Sequence, residues 1–212
     1  MKIIGVAGQM RAGKDTISDY LTTIIGFERA SFAANVKRVF CETFGVNLEF
    51  VEKWKVIPEV PPGFSSTVRQ GLQQIGDGFR KIKGDIWVEL VFRVLNKNIV
   101  ISDGRYINEL ERIRKEKGLN ILVWRPGYEN NDPNGSEAQL KPVLDYFAKI
   151  GQEGDVRNIG RPANAPCGAE FVDLFLINDG SVQDLYEKVD KLVVSFLENV
   201  WIVRENVRHE CI

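Results

Sequence analysis

The sequence predicts an α/β protein built as a three-layer sandwich, with a central parallel sheet between two layers of helices. Short apolar segments that suit buried strands alternate along the chain with amphipathic segments that suit helices. A glycine-rich loop with the spacing of a phosphate-binding loop lies between the first predicted strand and the first predicted helix. Such alternation implies right-handed crossovers and a ligand crevice at the carboxyl ends of the strands.

The first half of the chain opens with the strand Lys2–Gly8, which is almost wholly apolar and is therefore expected at the centre of the sheet. An amphipathic helix follows and ends at Gly26, a suitable C-terminal cap. A second helix follows the N-cap Ser31 and ends before Gly45. After a proline-rich connection, the predicted elements are a helix over 67–81 that glycines weaken, a helix over 85–96 and a strand over 98–102.

The second half continues the alternation with an exposed helix over 107–118 and a strand over 119–124. The segment from Arg125 to Glu170 breaks the rhythm because it is rich in loops and contains one predicted helix, at about 137–150. A strand over 171–178 and a long amphipathic helix after it restore the pattern. The C-terminal helix could cover the sheet or meet a second subunit; we favour the core role, and a homodimer stays open.

Composition places the chain among globular proteins, since 44% of its 212 residues are hydrophobic and 27% are charged. A formal net charge of -1 provides no general attraction to nucleic acid or to an anionic membrane. The three cysteines, at unrelated spacings, fit neither a disulfide framework nor a zinc site. Without a signal peptide or an apolar run long enough to span a membrane, the sequence predicts a soluble cytoplasmic protein.

The loop has the pattern G-x-x-x-x-G-K, formed by Gly8, Gly13 and Lys14. Glycines let backbone amides turn toward phosphate oxygens, and the helix N-terminus adds partial positive charge. Lys14 supplies a mobile cation for β and γ phosphates. The alternative is a glycine turn with a solvated lysine, which the correct strand and helix on either side make less attractive. The expected phosphate-binding residues of the loop are Gly8, Arg11, Ala12, Gly13, Lys14, Asp15 and Thr16.

Asp15 departs from the general pattern, in which a hydroxyl follows the lysine and binds Mg²⁺. Thr16 comes next and could bind the α-phosphate. A carboxylate is also a suitable Mg²⁺ ligand, directly or through water. The alternative is a plain helix-start aspartate, favoured by the helix dipole.

Several segments then point to one family. In order they are "GKDT" preceded by Arg11, "FAANVKRVF", "VRQGLQQIGDGFR", "IVISDGRYINELERIR", "ILVWRPG" and "LINDGSVQDLYEKV". Over most of its length the chain resembles the bacteriophage-type deoxynucleoside monophosphate kinase family. The loop alone is common, whereas the "SDGR…E", "RPG" and "INDGS" elements are more specific.

The resemblance implies a nucleoside monophosphate kinase-like fold that transfers the γ-phosphoryl group of ATP to the 5'-phosphate of a deoxynucleoside monophosphate (dNMP), with Mg²⁺. It also implies one kinase domain over residues 1–212, with an acceptor-binding segment at about 31–80 and a lid or insert at about 125–170. Holding four phosphates in line needs converging cations. The expected catalytic cations are Lys14, Arg105 and Arg125. For a phage-encoded chain, the compartment would be the host cytoplasm.

The acceptor side is predicted mainly from this resemblance. Lys37 could point to the acceptor phosphate or be a solvated helix lysine. Arg69 and Gln73 share a helix face at i and i+4, so they could grip a monophosphate and offer an amide to the base; a surface arginine is the alternative. Glu137 matches a family-like "EA-L" stretch and could contact the acceptor nucleoside.

Residues after the predicted strands complete the site. Asp103 could orient Mg²⁺ waters or the acceptor, or serve only as a turn residue. Arg105 could bind the acceptor phosphate, and Glu109 could pair with Arg105 or contact the nucleoside.

Arg125 begins the lid segment, whose closure would exclude water. The remaining candidates are the lid arginines Arg157 and Arg161 and, on the adenine side, Asn178 and Gly180, where a generic strand-to-helix turn is the alternative.

Two other readings of the sequence stay open. Another small-acceptor P-loop kinase, of the adenylate or dephospho-coenzyme A type, would share the sheet and the phosphate loop. A nucleotide-dependent switch or binding module would leave Arg69, Arg105 and Arg125 unexplained, and the guanine-binding N-K-x-D pattern is missing. The expected ligands are ATP and a dNMP, with neither nucleic acid nor membrane as a partner.

Overall fold

The computed structural model describes residues 1–128, 138–157 and 164–197. The strands are β1 (Ile3–Gly8), β2 (Glu28–Ala30), β3 (Ile99–Gly104), β4 (Leu119–Trp124), β5 (Gly154–Asp155) and β6 (Leu174–Ile177). The helices are α1 (Lys14–Ile25), α2 (Phe32–Phe44), α3 (Leu48–Trp54), α4 (Val68–Ile82), α5 (Ile86–Arg93), α6 (Ile107–Lys115), α7 (Lys141–Ile150) and α8 (Val182–Lys188). A 3-10 turn over Ala169–Phe171 precedes β6, and a π-helical segment over Val189–Val194 continues α8.

The six strands form one sheet in the order β2-β3-β1-β4-β6-β5. β1 pairs in parallel with β3 and β4, and β4 pairs in parallel with β6. β5, at the edge of the sheet, is antiparallel to β6. Because β1, β3, β4 and β6 run the same way, the loops after these strands lie at one edge of the sheet, which is where an α/β sheet binds its ligands.

Helices cover both faces of the sheet. On one face the side chains of β1, β4 and β6 pack with α1 and α8, around fully buried residues such as Ile4, Ile17 and Val189. On the other face they pack with α6 and α7, around residues such as Leu110 and Phe147. All six residues of β1 are buried. Burial on both faces explains why this strand is apolar throughout, and the three-layer α/β architecture is confirmed.

The chain divides into two compact units. The first comprises Met1–Arg29 and the described residues from Lys97 onward, and it contains the sheet apart from the last residue of β2. The second, Ala30–Asn96, comprises α2 to α5. Its core includes Phe40 and Val51, and the indole of Trp87 donates a hydrogen bond to Gly76 O at 2.9 Å. The expectation of a single kinase domain stays a prediction.

Several elements differ from the sequence-based expectations, among them the strand expected over 171–178, which is shorter (Leu174–Ile177) and follows a 3-10 turn. The sequence patterns missed β2, β5 and α3, since strands of two or three residues and a seven-residue helix are too short to display a period. The helix expected from about residue 137 begins at Lys141, because Pro142 suits the first turn. Within the described ranges, no helix is long and apolar enough to cross a membrane.

Candidate phosphate-binding site

The loop between β1 and α1 is shaped by two glycines that the surrounding structure requires. Gly8 has a φ of 149°, and a Cβ there would lie 2.2 Å from Val123 O on β4. Gly13 has a φ of 100°, and a Cβ there would lie 2.7 Å from Asn178 Nδ2. At both positions the backbone has a positive φ that other residues rarely adopt, and a neighbouring atom lies where a Cβ would be. The loop therefore needs glycine at both ends of its motif.

Lys14 begins α1 and is only 7% exposed. Its ammonium group donates hydrogen bonds to Gly8 O at 2.8 Å and to Gln9 O at 2.6 Å. The side chain thus curls back over the loop, and its charge lies beside the loop backbone at the N-terminus of α1. An anion placed there would meet a buried cation together with the positive end of a helix.

The other loop residues differ in exposure. Arg11 is exposed and has a positive φ of 63°, whereas Ala12 is fully buried. The Ala12 carbonyl accepts a hydrogen bond from Asn178 Nδ2 at 2.8 Å, which connects the loop to the segment after β6. Thr16 is half-buried in the first turn of α1. The roles of these residues toward ATP stay predictions.

Asp15 is 80% exposed, and its carboxylate forms an ion pair with Arg29. The same guanidinium group pairs with Asp19, one turn further along α1. Arg29 Nε also donates to Ser102 Oγ, at the end of β3, at 3.1 Å. Arg29 was not singled out from the sequence. The available signal was weak, namely two aspartates at i and i+4 followed by an arginine on the next strand.

The strand order places further predicted residues beside the loop. Asp103 is the last residue but one of β3 and Arg125 follows β4, and these two strands flank β1. At the end of β3, Gly104 packs so closely against β1 that a Cβ would lie 3.0 Å from Ala7 Cβ. Because parallel neighbours end at the same edge, the structure brings these candidates to the edge that carries Lys14.

Gln9 is a loop residue that the sequence motif leaves unassigned. Its side chain is 6% exposed, and its amide donates to Arg125 O at 2.8 Å and to Tyr128 O at 3.0 Å. The guanidinium group of Arg125 lies 4.4 Å from the centroid of the Tyr128 ring, within cation-π range. Gln9 therefore fixes the turn that presents Arg125. A glutamine at a variable position of the motif gave no sign of this contact.

Glu109 is 2% exposed and accepts hydrogen bonds from the backbone amides of Arg105, at 2.7 Å, and Tyr106, at 3.0 Å. These amides precede α6, so the carboxylate satisfies donors at the start of that helix. This contact also holds the backbone of Arg105. The nucleoside contacts expected of Glu109 and the phosphate contacts expected of Arg105 stay predictions.

The loop after β6 contains the two expected adenine-side residues. Asn178 is buried by its contact with the phosphate loop, and Gly180 is exposed. Lys188 donates to Ile177 O at 2.7 Å and pairs with Asp179 at 2.8 Å. The hydrogen bond from Lys188 to the Asp179 carboxylate lowers the pKa of Asp179 below its ordinary value. The turn is thus held in place from α8, an arrangement that suits a wall of a binding site.

In the second unit, Lys37 Nζ donates to Glu52 Oε1 at 2.7 Å. Burial favours the neutral form of Glu52, but hydrogen bonds from Lys37 and Lys55 outweigh it and lower the pKa of this carboxyl.

Arg69 and Gln73 are exposed on one face of α4, as predicted from their spacing. Their acceptor roles stay predictions. A shallow groove of about 320 Å³ on this helix is lined by Gln70, Gln73, Gln74, Asp77, Gly78 and Lys81.

The lid candidates are only partly described. Arg157 forms a two-point ion pair with Asp155 and lies 4.3 Å from the centroid of the Phe196 ring. The hydrogen bonds from Arg157 lower the pKa of Asp155. Arg161 and Glu137 lie outside the described residues.

A magnesium site of protein ligands alone does not occur here: the described ranges contain no group of three or more His, Cys, Asp or Glu side chains that could hold a metal ion. Asp15, at the start of α1, and Asp103, at the end of β3, lie near the same edge of the sheet. Mg²⁺ commonly binds through one or two carboxylates, water and substrate phosphates. These two carboxylates therefore fit a magnesium ion that arrives with a nucleotide.

Together, the buried parallel strand, the glycine loop, the lysine and the helix define a P-loop α/β fold. No protein-family model matches the chain. A protein of Acanthamoeba polyphaga mimivirus, provisionally named a deoxynucleotide monophosphate kinase, is 24% identical over 208 residues, which span 89% of this chain and 94% of the viral protein.

Solved structures of similar architecture include two small-molecule kinases. Shikimate kinase from Acinetobacter baumannii, in complex with shikimate, is 18% identical, covers 91% of this chain and 93% of its own, and gives a TM-score of 0.45. Dephospho-CoA kinase from Campylobacter jejuni is 17% identical, covers 94% of this chain and 99% of its own, and gives a TM-score of 0.43.

Proposed function

We propose that the protein is an ATP-dependent deoxynucleoside monophosphate kinase, which converts ATP and a dNMP into ADP and a dNDP. The observation that carries the proposal is the phosphate loop, in which Lys14 lies buried over a glycine turn that only glycines can form. The name of the mimivirus relative supports the choice of acceptor. So does the resemblance of the later "SDGR", "RPG" and "INDGS" elements to the bacteriophage-type family.

Each loop group would act on the donor phosphates. The backbone amides and the N-terminus of α1 would hold phosphate oxygens, and Lys14 would exchange its two carbonyl acceptors for the β and γ phosphates. Arg105 and Arg125 would neutralise charge as the γ-phosphoryl group moves between oxygens. Asn178 and Gly180 would border the adenine. Magnesium, held through Asp15 and Asp103, directly or by way of water, would supply further charge neutralisation at the phosphates.

The acceptor would be held by cations and amides of α2 and α4. Arg69 suits bidentate binding of a monophosphate, and Gln73 would present its amide to the base. The other proposed acceptor contacts are Lys37, Asp103, Arg105, Glu109 and Glu137. On this account the ligands are ATP and a dNMP, neither nucleic acid nor a membrane takes part, and the reaction takes place in the cytoplasm, that of the host for a phage-encoded chain.

The proposal is tested by a coupled assay of ADP release across deoxy- and ribonucleoside monophosphates, with dephospho-coenzyme A and shikimate included. At least one dNMP should stimulate ATP turnover more than any other acceptor. Strongest stimulation by AMP or dephospho-coenzyme A would indicate another small-acceptor kinase. If no acceptor stimulates turnover, the kinase proposal is wrong and a nucleotide switch gains support.

Lys14→Ala provides the site-specific arm of this test. It should abolish acceptor-dependent turnover while the chain still unfolds cooperatively, since the substitution removes a cation and two hydrogen bonds but no core side chain. Lys97→Ala is the matched control. Lys97 is exposed and pairs with Glu28. It precedes β3 and therefore lies at the amino ends of the parallel strands, whereas the phosphate loop lies at their carboxyl ends. Full activity in Lys14→Ala would exclude the loop as the site.

A further inference from the structure

Arg29 is a charged side chain beside the phosphate loop that the proposed reaction leaves without a role. Its guanidinium group pairs with Asp15 and Asp19 of α1, while its Nε donates to Ser102 Oγ. Ser102 is only 3% exposed and lies within β3, the neighbour of β1. Three anchors on two elements fix the fork of the guanidinium more firmly than a single surface ion pair would.

The position of the two aspartates creates an electrostatic problem. Asp15 directly follows Lys14 in the first turn of α1, and Asp19 lies one turn along the same face. A polyphosphate bound by the loop would therefore meet two carboxylates beside the cation that holds it. Charges a few ångströms apart at a protein surface interact strongly, and like charges at that range weaken binding.

We propose that Arg29 is a charge-compensating residue of the phosphate loop: its single positive charge offsets one of the two negative charges of Asp15 and Asp19, so that the polyphosphate of ATP binds to a loop that carries a carboxylate where a hydroxyl is usual. The inference rests on the proposed use of ATP by this site. Arg29 acts through the aspartates and does not itself hold a phosphate, so it is a positioning residue and not a catalytic one.

The contribution of Arg29 to ATP binding should depend on whether Mg²⁺ is present. Mg²⁺ placed between Asp15 and the phosphates would cancel the same repulsion that Arg29 cancels. The contribution of Arg29 is therefore largest for ATP without a divalent cation and small for the magnesium complex. A residue that bound the phosphates directly would contribute to the affinity for metal-free ATP and to the affinity for its magnesium complex.

The test is ATP binding by calorimetry at constant ionic strength, once with EDTA and once with excess Mg²⁺. With EDTA, Arg29→Ala should bind ATP about tenfold more weakly than the parent, the loss expected for one uncompensated charge near the phosphates. With Mg²⁺ the loss should fall below about threefold. Lys97→Ala removes an exposed lysine from the ion pair with Glu28, before the start of β3, and should bind as the parent does under both conditions.

A rescue variant separates compensation from direct contact. Asp15→Asn in the Arg29→Ala background leaves the cluster with the net charge of the parent, so ATP affinity with EDTA should return to within about twofold of the parent value. Thermal unfolding of each variant, without nucleotide, verifies that the chain is folded at the assay temperature. If Arg29→Ala itself fails to fold, Arg29→Lys, which keeps the charge, should retain most of the metal-free affinity.

The outcomes distinguish this inference from the proposed function. Equal losses with EDTA and with Mg²⁺, or no rescue by Asp15→Asn, would overturn charge compensation and leave the kinase proposal intact. Unchanged metal-free affinity in a folded Arg29→Ala variant would do the same. A parent protein that binds no ATP under either condition would overturn both.

Discussion

The side-chain amide of Gln9 donates a hydrogen bond to the backbone carbonyl of Arg125 at 2.8 Å, joining the phosphate loop to the turn after β4. A second bond, to Tyr128 O at 3.0 Å, holds the other end of the same turn. The loop and the arginine after β4 therefore form one connected unit.

Gln9→Ala should lower the free energy of unfolding by about 1–3 kcal/mol, because two carbonyl groups lose a partly buried donor. It should also lower kcat/KM for phosphoryl transfer more than it weakens ATP binding, since the loop glycines remain but Arg125 is no longer held. Urea unfolding and steady-state kinetics measure the two effects. Gln183→Ala, whose amide pairs with Glu187 on the exposed face of α8, should change stability by less than about 0.5 kcal/mol. Equal behaviour of the two variants would contradict the linking role.

Gly8→Ala should prevent formation of the native loop, because its Cβ would overlap the Val123 carbonyl at 2.2 Å as well as strain a φ of 149°. We expect at least about 3 kcal/mol of destabilisation and loss of ATP binding. Gly63→Ala is the matched control, with a φ of 83° and nothing within 4 Å of its Cβ. Backbone strain alone should cost that variant about 1–2 kcal/mol, measured by denaturant unfolding. A Gly8→Ala protein as stable as Gly63→Ala would show that β4 does not crowd the loop.

Glu52 should make the stability of the second unit depend on pH. Its pKa is lowered in the folded state, since hydrogen bonds from Lys37 and Lys55 outweigh the effect of burial. The stabilisation is therefore fully present above the ordinary pKa of 4.5 and is lost as the pH falls through the lower folded value. The difference in unfolding free energy between the parent and Glu52→Gln should stay constant from pH 7 down to about pH 5 and shrink as the pH falls further. In a Lys37→Met Lys55→Met background only burial acts on this carboxyl and raises its pKa, so the advantage of Glu52 over glutamine should no longer fall toward acid pH. A fall that persists there would be assigned to other groups.

Arg69→Ala should raise the KM for the acceptor more than the KM for ATP, because the guanidinium group is proposed to bind the monophosphate. Arg69 is exposed on α4, so the variant should fold normally. Initial rates at varied ATP and varied dNMP separate the two constants. Arg93→Ala removes another exposed arginine of the same unit and should alter neither. Equal increases in both KM values would place Arg69 outside the acceptor site.

Local sequence patterns predicted the central part of this architecture well. The strand β1, the glycine loop and α1 follow from an apolar run, a motif and a helical period within one short stretch of the chain. The same reasoning placed Asp103, Arg125 and Asn178 at the carboxyl ends of strands, and the parallel sheet brings those strand ends to one edge.

Contacts between distant residues could not be predicted in this way. Gln9 and Arg125 are 116 positions apart, and Arg29 and Ser102 are 73 apart, so no periodicity relates them. Polar side chains at such separations meet only through the fold. Glu109 is the opposite case, since its bonds to Arg105 and Tyr106 lie within four residues and follow a helix-start pattern. The hydrogen bonds of Glu109 at the start of its helix could therefore have been foreseen from the sequence, alongside its proposed contact with the nucleoside.

Transfer of label from γ-phosphate-labelled ATP tests the central claim most directly. Parent protein, Mg²⁺ and a mixture of the deoxynucleoside monophosphates should convert the label into dNDP faster than into inorganic phosphate, and Lys14→Ala should produce neither above background. Label that appears only as inorganic phosphate, or labelled dNDP formed equally well by Lys14→Ala, would contradict the assignment of a dNMP kinase to this phosphate loop.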